Sequence, residues 1–231
     1  MNISVLSALV SIGVVVVFIV VVATSRRLAL PAALSPVVVT AAAIGVLLVA
    51  NRIPAERFQQ LSHPLGLFLG PAIVALGVAV HDNRRLLTAA ARPLAVAITV
   101  GSASGVGSAI LLARALGLGP LLLAATATRT ISTPFAILMQ TRVGGPVSLA
   151  AGIAVATGAI GAIMLPSLLK MLGVVDRRAI GTAVGVAAHL VGADAVGRRN
   201  AVAGAFAGAA LVGTGVVVSL IVPPLWPWLI G

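Results

Sequence analysis

Long apolar runs joined by brief polar connections set the pattern of this chain. A run of roughly twenty apolar residues can cross a hydrocarbon core about 30 Å thick. Six such runs lie at about 4–23, 30–50, 65–80, 93–113, 147–172 and 200–222. Two more, about 120–140 and 179–196, are interrupted by polar residues. The pattern predicts an all-α fold: a polytopic membrane helix bundle forming a single domain over 1–231, with two interrupted helices, re-entrant or broken. The third run is short, and Gly70-Pro71 bends it or lets it begin in the interface. Residues 51–64, with Phe58 and Leu61 among polar neighbours, read as an amphipathic segment along the membrane surface.

Composition sharpens this reading. The 231 residues are 60% hydrophobic and 8% charged, with mean hydropathy +1.21, whereas soluble domains carry about 25% charge. A formal charge of +11 would fit a nucleic-acid partner, but the arginines sit in short loops between apolar runs. There they mark membrane orientation, so the partner is the lipid bilayer and no nucleic acid is expected. No cysteine is present, which excludes disulfides and thiolate metal sites. The first run has no basic residues before it and no small-residue cleavage site, and so reads as a retained helix.

The positive charges also choose between topologies. If both interrupted runs cross fully, the inner loops hold Arg26, Arg27, Arg84, Arg85, Arg92, Arg142, Arg198 and Arg199, and the outer loops hold Arg52, Arg57, Arg114, Lys170, Arg177 and Arg178. If both are re-entrant hairpins, Arg142 moves out while Lys170, Arg177 and Arg178 move in, which raises the inner excess. The bias favours hairpins, one entering from each side. Gly101 with Gly105, Gly181 with Gly185 and Gly204 with Gly208 have the spacing at which small residues let membrane helices approach closely. A faint echo links Gly70-Pro71 through Arg84-Arg85 with Leu165-Pro166 through Arg177-Arg178, raising inverted repeats as an expectation.

The chemistry concentrates in the interrupted runs. Ala127 to Ala136 holds an arginine, several hydroxyls and a proline inside an apolar stretch. Arginine at membrane depth is costly and normally faces protein or a wet cavity. Proline removes a backbone donor and breaks the helix. Arg129 can hold a carboxylate by two parallel hydrogen bonds, with Thr128, Thr130, Ser132, Thr133 and the half-helix after Pro134 supplying further donors; alternatively it forms a structural ion pair. In the second run, His189 can bind a solute or carry a coupled proton, or simply pack against a carbonyl, with Gly192 beside it. Asp194 is either buried against Arg129, with an ion- or proton-coupling role, or at the surface beside Arg198 and Arg199. The glycine-rich Gly101 to Ser108 stretch lacks the lysine of a phosphate loop. His63, His81 and His189 are far apart, so no metal site, cofactor or enzyme is expected.

These segments resemble the LrgB/CidB family of bacterial membrane proteins, whose plant relatives include the plastid glycolate/glycerate translocator. The likeness covers about 60–225. Leu69 to Leu76 (LGPAIVAL) is similar to the family's LGPATVAL, and Ser132 to Ala136 (STPFA) to its TTPIA, with Arg129 close to a usual lysine. Gly185, Ala187, His189 and Gly192 match its GTASHAIG, and Gly204 to Gly208 (GAFAG) the motif that follows. Val186, Ala188 and Ala193 stand where hydroxyls are usual, Ala195 where arginine is common with Asp194 beside it, and His81 where tyrosine is frequent. The resemblance implies a multi-pass protein of the bacterial cytoplasmic (inner) membrane that carries small carboxylate solutes such as glycolate, glycerate or pyruvate, with ion or proton coupling. It also implies a homodimer and a small LrgA/CidA-like membrane partner. The family's other reading is a holin-like or antiholin-like regulator of murein hydrolase export and cell lysis. The solute site expected comprises Arg129, Thr130, Ser132, Thr133, Pro134, His189 and Gly192.

Overall fold

The computed structural model describes residues 3–27 and 36–230, all helix and connections. The chain divides into two compact units, Met1–Ala75 and Leu76–Gly231. The first contains α1 (Ile3–Arg27), α2 (Pro36–Ala50), α3 (Ala55–Leu61) and α4 (His63–Gly66), and the boundary falls within α5 (Leu69–Asp82). The expected surface segment is thus helical, broken between α3 and α4. Ser7 Oγ on α1 donates to the Leu61 carbonyl at 2.7 Å, tying α1 to the end of α3. Residues 30–35, the first six of the second apolar run, lie outside the described residues, and α2 holds its last fifteen.

The second unit continues with α6 (Arg84–Ala89), α7 (Ala91–Ala115), α8 (Pro120–Ala127), α9 (Thr133–Val143), α10 (Val147–Met171), α11 (Arg177–Gly197) and α12 (Ala201–Ile230). By length and composition α1, α7, α10, α11 and α12 can each cross a membrane. Two of the predicted interruptions turn out to be sharp reversals of direction.

The first reversal lies between α8 and α9. In one straight helix, Ala124 and Gln140 would stand about 24 Å apart. Instead Gln140 Nε2 donates to the Ala124 carbonyl at 2.8 Å and to Thr128 Oγ1 at 3.0 Å. The arms therefore run back along each other. Ser132 is extended (φ −67°, ψ 154°) and Pro134 lies in the first turn of α9, where a missing N–H costs nothing. Continuing α8 through this point would drive the proline ring into the backbone one turn earlier. Gly144, at φ 71°, closes α9 in the left-handed conformation that glycine adopts without strain.

The second reversal occurs inside α11, at His189 (φ 35°, ψ −132°). Val184 and Gly192 would be about 12 Å apart in a continuous helix, yet a methyl group on Gly192 would come within 2.7 Å of Val184 Cγ1. Along α12, Ala203 packs on Gly181 and Ala207 on Gly185. Both positions advance together, so α12 runs parallel to the first arm of α11. The intervening chain must then return to the end where α11 began. Asp176 starts α11 by accepting from the Arg178 N–H at 2.7 Å, which satisfies one of the free donors of the first turn.

α7, α10 and α12 thus run the length of the unit, while the hairpins enter from opposite ends. Each hairpin follows a long helix: α7 leads into the first, α10 into the second, in opposite senses. The order of long helix and hairpin thus recurs over 91–143 and 147–197 in opposite senses. The sequence echo falls on other elements, α5–α6 and the junction of α10 with α11. Arg84, Arg85, Arg92, Lys170, Arg177, Arg178, Arg198 and Arg199 gather at one end of the unit, with Arg114 and Arg142 at the other, which is the asymmetry the hairpin topology required.

Close packing accounts for two of the three glycine pairs. Gly101 and Gly105 on α7 receive Val186 and Thr130, whose methyl groups would lie 2.8 Å from a side chain placed there. Gly181 and Gly185 meet the α12 backbone. The third pair is a correction: Gly204 packs on Gly197, but nothing lies near Gly208.

Candidate functional site

On α7, Gly101 and Gly105 are one turn apart, about 6 Å along the axis. Val186, three residues before the second break, occupies one, and Thr130, inside the first break, the other. The two hairpin tips therefore approach the same stretch of α7, at mid-depth of the unit.

Between α7 and the first arm of α11 runs a cavity of about 1260 Å³. Arg92, Asp176 and Arg178 line it near the basic end, and Arg129 with Thr130 and Ser108 line it at mid-depth. Asp176 and Arg178 are exposed and 3.8 Å apart. Between these levels the walls alternate valine and alanine with Ser104 and Thr182. The inner-end guanidinium is held by α7: Arg129 NH2 donates to the Gly105 carbonyl at 3.3 Å and to Ser108 Oγ at 3.2 Å. No carboxylate pairs with Arg129 among the described residues. A partly buried cation with open donors, facing a cavity, is arranged to bind an anion.

The other expected site residues divide sharply. Thr130 and Ser132 are buried, and neither hydroxyl has a partner among the described residues. Thr133 and Pro134 form the first turn of α9. Thr128 is fully buried and structural: its Oγ1 donates to the Ala125 carbonyl at 3.0 Å and accepts from Gln140. His189 does not line the cavity; its Nε2 lies 2.7 Å from the Ala154 carbonyl of α10, and it packs on Gly158. Gly192 is a packing position against Val184 and Ala188. Asp194 is not buried against Arg129. It is exposed and accepts from Arg198 in a two-pronged ion pair, with 2.7 Å to NH2 and 3.0 Å to Nε.

Some residues of the site escaped the sequence reading. Ser104 and Ser108 belong to the glycine-rich stretch Gly101 to Ser108, and their spacing of four places both on one helix face. That periodicity was the available signal. Gln140 carried no signal beyond its polarity, since both its partners are remote in sequence.

A family model described as "LrgB-like family" matches residues 14–228. An uncharacterised protein of Haemophilus influenzae is 30% identical over 187 residues, covering 80% of each chain. The uncharacterised protein YwbG of Bacillus subtilis is 26% identical over 179 residues, 77% of this chain and 79% of that one. Plastidal glycolate/glycerate translocator 1 of Arabidopsis thaliana is 29% identical over 155 residues, 67% of this chain but 30% of the plant protein. No solved structure matches. With a match over nearly its whole length, and with the two broken helices of a multi-pass membrane protein, the chain belongs to the LrgB-like family.

Proposed function

We propose that the protein carries small organic monocarboxylates across the bacterial cytoplasmic membrane, with Arg129 as the anchor for the carboxylate. The observation that carries this is the guanidinium at the inner end of the cavity, without a carboxylate partner among the described residues. The cavity's basic mouth draws anions in by their charge, and the polar tip at mid-depth replaces the water they lose. Two hairpins in opposite senses supply the broken-helix architecture of carriers that expose one site to alternate sides. The plant relative's name adds glycolate and glycerate as candidate solutes. The basic end faces the cytoplasm in this reading. A pore that lyses cells needs only oligomerising helices, and nothing in the cavity calls for that role.

Uptake of labelled glycolate, lactate and pyruvate into proteoliposomes tests the proposal. Arg129→Lys keeps the charge but loses the planar fork, so residual uptake is expected. Arg129→Ala abolishes uptake while the protein still reaches the membrane, because Asp194 is paired with Arg198 and no carboxylate is stranded. Wild-type uptake by Arg129→Ala sinks the proposal.

A further inference from the structure

Beyond Arg129, four of the five buried hydroxyls without a partner among the described residues of the second unit, all but Ser219, lie on α7, α12 and the tip of the first hairpin. Ser102, Thr130, Ser132 and Thr214 are each at most 3% exposed, and none of their oxygens has a hydrogen-bond partner among the described residues. Register brings them together. Ile98 on α7 packs on Gly213 of α12 and shares a cluster with Ala210. Since α7 and α12 both start at the basic end, Ser102, one turn beyond Ile98, and Thr214, one turn beyond Ala210, fall at a similar level. The tip of the first hairpin closes over this pair. Thr130 packs on Gly105 and the Phe135 ring on Gly215, each within a turn of Ser102 or Thr214.

Ser132 lies between Thr130 and Phe135 and is the N-cap of α9, yet its side chain makes no capping bond. Pro134 has no N–H, and the first-turn N–H of Phe135 consequently lacks the partner a serine normally supplies. Native interiors leave few polar groups unpaired, and two unpartnered hydroxyls at one helix start, with two more on the helices packed beside it, invite a ligand. Charge selects its sign. The helix start is partially positive and Arg129 is the neighbour of Thr130, while Asp82, Asp176 and Asp194 all lie at helix ends or on the surface.

We infer that Ser102, Thr130, Ser132, Thr214 and the first turn of α9 form a second, occluded anion subsite, which takes the solute's carboxylate after it leaves Arg129. This rests on the carrier reading. Thr130 borders both the cavity and the hydroxyl group, and so stands between the two subsites. The solute would be held at the start of α9 by hydroxyl and backbone donors, with no charge that must be neutralised when it moves on.

The test combines Ser102→Ala with Thr214→Val, which keeps Thr214's shape and removes its hydroxyl, alongside Thr214→Ser, which keeps the hydroxyl. Labelled glycolate uptake and the thermal midpoint of the purified protein are both measured. Losing one hydrogen bond to a charged group corresponds to about tenfold, so uptake by the double variant should fall at least about tenfold. Its midpoint without ligand should hold or rise, since unpaired buried hydroxyls are removed. Thr214→Ser should stay within about twofold of wild type. Wild-type uptake by the double variant, or equal loss in Thr214→Ser, overturns the subsite. Ser102→Ala alone decides in the same way should the pair not fold. If wild type carries none of the solutes, the carrier reading fails by itself, and acetate decides the subsite: a midpoint rise in wild type that vanishes in the double variant upholds it, and no rise refutes it.

Discussion

The two hairpins solve one problem, reversing a helix at mid-depth, by opposite means. The first spends five residues, Thr128 to Ser132, on its turn, and Gln140 ties its arms by hydrogen bonds. The second turns at one residue, His189, and its arms are held by close packing of Gly192 on Val184 and of Gly181 and Gly185 on α12. A polar tie leaves the first tip with unspent donors and a cation. Close packing leaves the second with almost none. The difference separates a tip fit for binding from a tip fit for bracing.

The largest effect should come from crowding the braced hairpin. Gly185→Val pushes a side chain into the Ala207 backbone, which cannot swing aside. A loss of about 3 kcal/mol is expected, read as a collapse in folded yield and thermal midpoint; a variant of normal stability would mean the arm is not packed on α12. Next, Gln140→Leu removes the bond to the Ala124 carbonyl and one of the two bonds of Thr128 Oγ1, at a cost of about 2 kcal/mol. The corresponding loss of uptake should exceed that of the bracing variants at matched stability, because the tie positions Arg129.

The third test concerns the turn residue of the braced hairpin. His189→Gly relieves a backbone conformation that costs an L-residue about 1–3 kcal/mol, while losing the bond to the Ala154 carbonyl, about 1 kcal/mol. The two nearly offset, so the thermal midpoint should move little. A large drop would show the imidazole to be a structural pin. Smallest of all, Asp194→Ala removes an exposed ion pair with Arg198 and should change stability by less than about 0.5 kcal/mol, with uptake intact. Lost uptake would restore Asp194 to a coupling role.

Much of this was legible in the chain itself. A proline and an arginine inside an apolar run can only mark a covered break, and the arginines of the connections chose hairpins over full crossings. What stayed hidden depended on long-range pairing. Gln140 acquires meaning only when Ala124 lies beside it, and Ser102 only when Thr214 falls at a similar level on α12. His189 was misleading for the same reason. Its polarity pointed to the site, but which helix would receive its ring was set by Gly158, thirty residues earlier.

The inverted repetition of helix and hairpin has a consequence for how the unit enters a membrane. A fold made of two similar halves in opposite senses looks much alike from either face, so its architecture gives the insertion machinery little to read. Orientation then falls to the charges: the seven arginines at positions 84, 85, 92, 177, 178, 198 and 199, with Lys170, act as the label that says which way is up. Moving a few of them to the loops beside Arg114 and Arg142 would leave every helix contact in place and yet weaken that label, yielding molecules inserted both ways round.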